Sequence, residues 1–234
     1  MYNGIHIVSL VKKHLRKRLS SGLLNVPKIS DNLVRRKIVF FDKKNVLKNN
    51  GCEVVAIDLN RCYWTTLYQL GYIDEKLYNI GLSKDSYKTV CNLSIGSLGM
   101  TEYFEVYKEG VLVDEYEKPS DFAGIRLHVI SKVFKNAVNV INSSNECRDG
   151  FLWFLTDCFF VKKGTEAFFE RAISDFGYKY KKKYHEKYVS NTEFRRNGDF
   201  RYFIKWDSWG VGLEQNDVYR FNVRNNIVEI LKQK

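Results

Sequence analysis

The spacing of apolar residues changes period along this chain, from helical to alternating and back, and those changes mark its elements. Residues 9–24, SLVKKHLRKRLSSGLL, bring Leu10, Val11, Leu15 and Leu19 to one side of a short amphipathic helix. KIVFF (37–41) reads as a strand, and KKNVLKNNG (43–51) has the Asn/Gly chemistry of a turn. EVVAIDL (53–59) is a second strand, and RCYWTTLYQLGYI (61–73) continues as a helix that ends near Gly71. SKDSYKTVCNLSIGSLG (83–99) predicts a further helix with Lys84, Lys88 and Asn92 on one face.

MTEYFEVYKEGVLVDEYEKP (100–119) alternates and turns at Lys108-Glu109-Gly110, a hairpin pattern. Between Phe122 and Ile141 the apolar residues Ile130, Val133, Phe134, Ala137, Val138 and Ile141 keep helical spacing, so a core-packed helix is expected, ended by a loop over NSSNECRDG (142–150). FLWFLTDCFFVKK (151–163) reads as two paired strands interrupted at Thr156-Asp157. FRYFIKWDSWGVGL (200–213) predicts another hairpin, and NDVYRFNVRNNIVEILKQK (216–234) a final helix. No internal repeat and no low-complexity linker is visible.

At 234 residues, 44% hydrophobic and 15% aromatic with two prolines, the chain is long and apolar enough for a substantial core. No apolar run of about 18 residues and no leader pattern is present, so the expectation is neither membrane span nor secretion but a cytoplasmic protein. Cys52, Cys62, Cys91, Cys147 and Cys158 are scattered without a C-x-x-C pair, which argues against a zinc site or a disulfide framework. The 38 Lys+Arg against 27 Asp+Glu give a net charge of +11, which favours a polyanionic partner through counterion release. KKHLRKR (12–18) fits either a solvated cationic helix face or a nucleic-acid arm. In GYKYKKKYHEKY (177–188) and onward, Lys179, Lys181, Lys182, Lys183, Arg195, Arg196 and Lys205 interleave with aromatics. That mixture suits phosphate neutralisation and stacking on bases, and equally a small β-rich cap.

Two acids stand apart. Asp58 ends an apolar strand and Asp157 lies at a hairpin tip, so one sheet can bring them face to face. Taken alone, Asp58 could equally be a helix cap. Paired carboxylates repel, and divalent cations are a natural compensation. Two Mg²⁺ ions roughly 3.5–4 Å apart would serve an in-line displacement, and magnesium binds through a few carboxylates plus phosphates and waters.

Asp58-Leu59-Asn60-Arg61-Cys62-Tyr63-Trp64 resembles the motif D-x-N-S-L-Y-P of family B DNA polymerases of the small protein-primed phage kind. Lys88-Thr89-Val90-Cys91-Asn92-Leu93-Ser94-Ile95-Gly96 is similar to their K-x-x-x-N-S-x-Y-G, and Leu155-Thr156-Asp157-Cys158 to their D-T-D-S. Asp, Asn and Tyr match in the first, Lys, Asn and Gly in the second, and the metal-carrying Asp in the third, where Leu155 replaces the other acid. The likeness spans roughly residues 53–163.

The resemblance implies an α+β fold: a palm-like antiparallel sheet with packed helices over residues 51–165, short helical fingers inserted at about 65–99, a basic segment at 1–50 and a small basic thumb-like region at 166–234. It implies a template-dependent nucleotidyltransferase, a DNA polymerase extending a primer 3′-hydroxyl in DNA replication, without a proofreading exonuclease. A size this small fits a phage or mobile element, placing the protein in host cytoplasm. Asp58 and Asp157 would be catalytic and, with the Leu59 carbonyl, would hold two Mg²⁺ ions, Mn²⁺ being a substitute. Lys88 would meet the incoming triphosphate, Tyr63 would lie under its sugar, and Asn92 would shape its pocket; Arg61 and Lys84 add phosphate contacts by position. Tyr63 could also be an ordinary aromatic at a helix start, and the Lys84, Lys88 and Asn92 stripe a solvated one. Partners would be primer-template DNA, nucleoside triphosphates and a processivity or primer protein. The alternative is a catalytically inactive palm retained as a nucleic-acid-binding subunit of a replication or virion complex.

Overall fold

The computed structural model describes residues 4–27, 39–41, 45, 48–49, 52–108, 111–185, 190–196, 199–206, 209–214, 219–222 and 227–229. In chain order the elements are α1 (Gly4–Ser20), β1 (Val39–Phe41), β2 (Val54–Asn60), α2 (Cys62–Gln69), α3 (Glu75–Leu82), α4 (Tyr87–Ser97), β3 (Thr101–Lys108), β4 (Val111–Pro119), α5 (Ala123–Ile141), α6 (Asn145–Gly150), β5 (Phe151–Leu155), β6 (Cys158–Lys162), α7 (Glu166–Asp175) and β7 (Lys179–His185). Then follow β8 (Ser190–Arg196), β9 (Asp199–Trp206), β10 (Trp209–Glu214), β11 (Tyr219–Asn222) and β12 (Ile227–Glu229). This α+β chain divides into two compact units, residues 1–34 with 61–133, and residues 35–60 with 134–234.

The second unit is built on a sheet of order β12-β11-β1-β5-β6-β2-β7, whose four strands β5-β6-β2-β7 run antiparallel to their neighbours. Val54, Val55, Ala56 and Ile57 are all buried, which is why β2 reads as a continuous apolar run and takes an interior place between β6 and β7. Helix α7 covers one face of this sheet. Its Phe169 meets Phe159 with ring centroids 5.9 Å apart, while Glu170 accepts a hydrogen bond from Tyr180 Oη at 2.8 Å and pairs with Lys182 Nζ at 2.8 Å.

The first unit is mainly helical. Ile7, Val11 and Leu15 of α1 are buried in one cluster with Trp64 and Leu67 of α2, Leu77 of α3, Tyr87, Cys91 and Ile95 of α4, and Ile125 and Val129 of α5. Asp74 caps α3 by accepting from Leu77 N–H at 2.8 Å, and its other oxygen lies 3.7 Å from His14 Nδ1, which ties α1 to that cap. Trp64 donates from Nε1 to Tyr78 O at 3.2 Å, and the indole lies so close to Gly81 that any Cβ there would overlap it.

Several sequence expectations change. Leu19 is 39% exposed, because the buried stripe of α1 runs through Ile7, Val11 and Leu15 instead. The helix expected over 83–99 starts at Tyr87, and Lys84 sits in the turn before it, where its carbonyl accepts from Tyr87 N–H at 3.1 Å. The loop expected at 142–150 contains α6, nucleated by Ser144 accepting from Cys147 N–H. The final helix expected over 216–234 is replaced by β11 and β12, where pairing with β1 supplies backbone partners that outweigh the helical spacing. Helix α1 clusters with α2–α4 in the first unit, and α7 and β7 cluster with the sheet of the second. Among the described residues no helix is long and apolar enough to cross a membrane.

Substituting Gly81→Ala forces a methyl group into the Trp64 indole, and a loss of about 1–3 kcal/mol of stability is expected by urea denaturation, the usual cost of overpacking.

Candidate active site

Antiparallel registry decides where the two acids go. β2 pairs with β6 so that Asp58 stands opposite Cys158, and Leu59 N–H donates to the Asp157 carbonyl at 2.8 Å. The end of β2 is thus stitched directly to the β5–β6 tip. Asp58 and Asp157 are both half-buried, and Leu59 is 2% exposed between them and β7. Cross-strand neighbours share a face, so the Cys158 thiol lies on the Asp58 side of the sheet.

That thiol reports the local field. Burial pushes its pKa up first, and the negative charges of Asp58 and then Asp157 push it further in the same direction. The two carboxylates thus both act on this thiol. Among the described residues no group of three or more His, Cys, Asp or Glu side chains is arranged to hold a metal ion. The junction brings two carboxylate residues and the Leu59 main chain to neighbouring positions.

The hairpin tip is strained. Asp157 N–H donates back to Leu155 O at 2.7 Å, closing a three-residue γ-turn about Thr156, which has φ +60°. Arg61, three residues after Asp58, has φ +53° and ψ +38° in the turn from β2 into α2. These are the only two non-glycine residues with positive φ among the described residues, and left-handed backbone costs an L-residue roughly 1–2 kcal/mol. Each follows or precedes one of the acids closely, and strain of this kind concentrates at functional sites.

A row of cations flanks the acids on β7. Lys179, Lys181 and Lys183 stand opposite Asn60, Asp58 and Ala56 and share their face, and all three are exposed. Lys182 points to the other face, where it pairs with Glu170 of α7. Its hydrogen bond to Glu170 raises its pKa. Of Arg195, Arg196 and Lys205 the structure describes the backbone, in a separate β10-β9-β8 sheet; their side chains lie outside the described ones.

The remaining expected contacts lie in the first unit. Lys88 is half-buried and Asn92 exposed, one turn apart on α4. Lys84 is exposed in the preceding turn, its ammonium 5.7 Å from the Tyr87 ring centroid. Tyr63 packs half-buried on the helical core. Arg61 is 6% exposed: its guanidinium donates to Leu82 O at 3.4 Å and Lys84 O at 2.6 Å and lies 3.9 Å from Asp85. It anchors the turn that carries Lys84, a role the sequence did not suggest. Cys158, Thr156 and the Lys181 register were also missed. The letters T-D-C hint at a tip, yet only strand pairing reveals what faces Asp58.

No protein-family model matches this chain, and neither does any curated protein or solved structure.

Two outcomes follow from this geometry. Thr156→Gly removes the side-chain penalty of positive φ and should raise stability by about 1 kcal/mol in urea denaturation. Burial also pushes the Cys91 thiol from the ordinary 9.0 up to about 11. Both Cys91 and Cys158 are raised on folding, so above pH 9 the unfolded chain loses protons that the folded chain keeps, and stability falls as pH rises. The melting temperature should decline above pH 9, and less steeply in Cys158→Ala.

Proposed function

We propose that this protein is a small palm-type nucleotidyltransferase that extends a primer 3′-hydroxyl with deoxynucleoside triphosphates. The observation that supports this most is the stitched junction of β2 with the β5–β6 tip, which sets Asp58 and Asp157 at one end of neighbouring strands. A carboxylate at a strand end beside one at a hairpin tip is the arrangement that the family B resemblance requires.

In the proposed reaction the primer 3′-oxygen attacks the α-phosphorus, a new P–O bond forms and the bond to pyrophosphate breaks. Asp58, Asp157 and the Leu59 carbonyl would hold Mg²⁺ or Mn²⁺, which when bound makes the hydroxyl more acidic and offsets charge on the leaving phosphates. Lys179, Lys181 and Lys183 attract the phosphodiester chain towards the face that carries the acids, so the field over this face changes from positive on β7 to negative at the junction. By the resemblance, Lys88, Asn92 and Tyr63 of the first unit are nucleotide contacts, Lys88 as a point charge for phosphate oxygens.

A second reading is favoured by Leu155, which stands where the family carries an acid: an inactive palm that binds nucleic acid as a subunit of a replication or virion complex. Primer extension with Mg²⁺ separates the two. Asp58→Ala and Asp157→Ala should each reduce extension on the order of a thousandfold while far-UV circular dichroism is unchanged. Extension that survives both substitutions contradicts the assignment. Duplex binding without extension in the unsubstituted protein favours the second reading.

A further inference from the structure

Helix α1 contributes Ile7, Val11, Leu15 and the partly buried Leu10 to the core of the first unit and carries no acidic residue along its length. Ile7, Val11 and Leu15 are each 0% exposed. On the opposite side, at spacings of three and four residues, Lys13, Arg16 and Lys17 are exposed and form no ion pair with an acid among the described residues. Arg18 differs, because its guanidinium donates to the carbonyls of Gly71 and Leu23. His14 is engaged with Asp74. Lys13 and Lys17 are one turn apart, and like charges at that spacing cost a helix a few tenths of a kcal/mol, a penalty that a bound anion would reverse.

A basic amphipathic helix can also lie on an anionic membrane. Here that is disfavoured, because membrane insertion needs an apolar face and the apolar face of α1 is used in the core. What remains for a partner is mainly charge at helical spacing, with Leu19 as the one large apolar side chain of α1 that is exposed among the described residues. We propose that the Lys13, Arg16 and Lys17 face of α1 is a second nucleic-acid contact, one that binds the phosphate backbone without sequence preference. It is independent of the catalytic reading, since it needs neither Asp58 nor a divalent cation.

The test measures binding of a fluorescent DNA duplex by anisotropy, on the full chain, without nucleotide or divalent cation, between about 50 and 300 mM salt. Lys13→Gln, Arg16→Gln and Lys17→Gln together should lower the slope of log affinity against log salt by about two to three and weaken binding at 0.1 M salt on the order of a hundredfold. A control removes the same charge at three scattered exposed positions, Lys76→Gln, Lys108→Gln and Lys135→Gln, and should change the slope by less than about one. Equal effects of the two triple variants, or none from the first, would overturn the proposal. So would phosphatidylserine vesicles that compete with the duplex for unsubstituted protein. If the first variant fails to fold, lysine acylation of the unsubstituted chain decides: duplex should protect Lys13 and Lys17 relative to Lys76, and equal reactivity would refute the contact.

Discussion

The pairing of β2 with β6 is the constraint on which the candidate site depends. Asp58 and Asp157 are far apart in sequence, and neither has meaning as a site alone. Five consecutive paired positions from Val54↔Lys162 to Asp58↔Cys158 leave no freedom in how they meet. A slip of one residue would turn Asp58 to the opposite face, beneath α7, and would drive Ile57 out of the core. The burial of Val55, Ile57 and Leu59 on one side and the hydrogen bond from Leu59 N–H to Asp157 O at 2.8 Å therefore specify the site as firmly as they specify the fold.

Burial raises the pKa of the Cys158 thiol, and the charges of Asp58 and Asp157 raise it further, where β2 meets the tip. Lys181 stands across from Asp58 on the other flank, so the same face carries cations beside carboxylates. Left-handed backbone at Thr156 and Arg61 adds strain at the two turns adjoining the acids. A fold selected for stability alone would have glycine at such positions. Arg61 is held in place by carbonyls of Leu82 and Lys84, which offsets part of its penalty.

Much of this was legible in the letters. Strands 53–59 and 151–163 declared themselves through apolar runs broken by a two-residue reversal, and an acid at each break suggested a shared site. Local pattern could not reveal partners. That Lys181 rather than Lys182 flanks Asp58 follows from registry between strands more than a hundred residues apart in sequence, and no local periodicity encodes that offset. Arg61 looked like a phosphate contact because a cation beside an acid motif invites that inference, whereas its guanidinium is used inside the helical unit. The C-terminal residues 219–229 looked helical, and strand partners that lie elsewhere in the chain decided otherwise. Helix α1 shows a milder limit: Val11 and Leu15 of its expected apolar side are buried, whereas Leu19 is exposed and Ile7 takes part instead.

The central claim is that Asp58 and Asp157 serve one cation site rather than two unrelated positions. Mn²⁺ titration followed by electron paramagnetic resonance, with a nucleoside triphosphate present, tests it through a double-mutant cycle on Asp58→Asn and Asp157→Asn. Members of one site are non-additive, so each single variant should lose the protein-dependent Mn²⁺ signal and the double variant should lose little more. Losses that simply add, or a signal that persists in both single variants, would contradict the account.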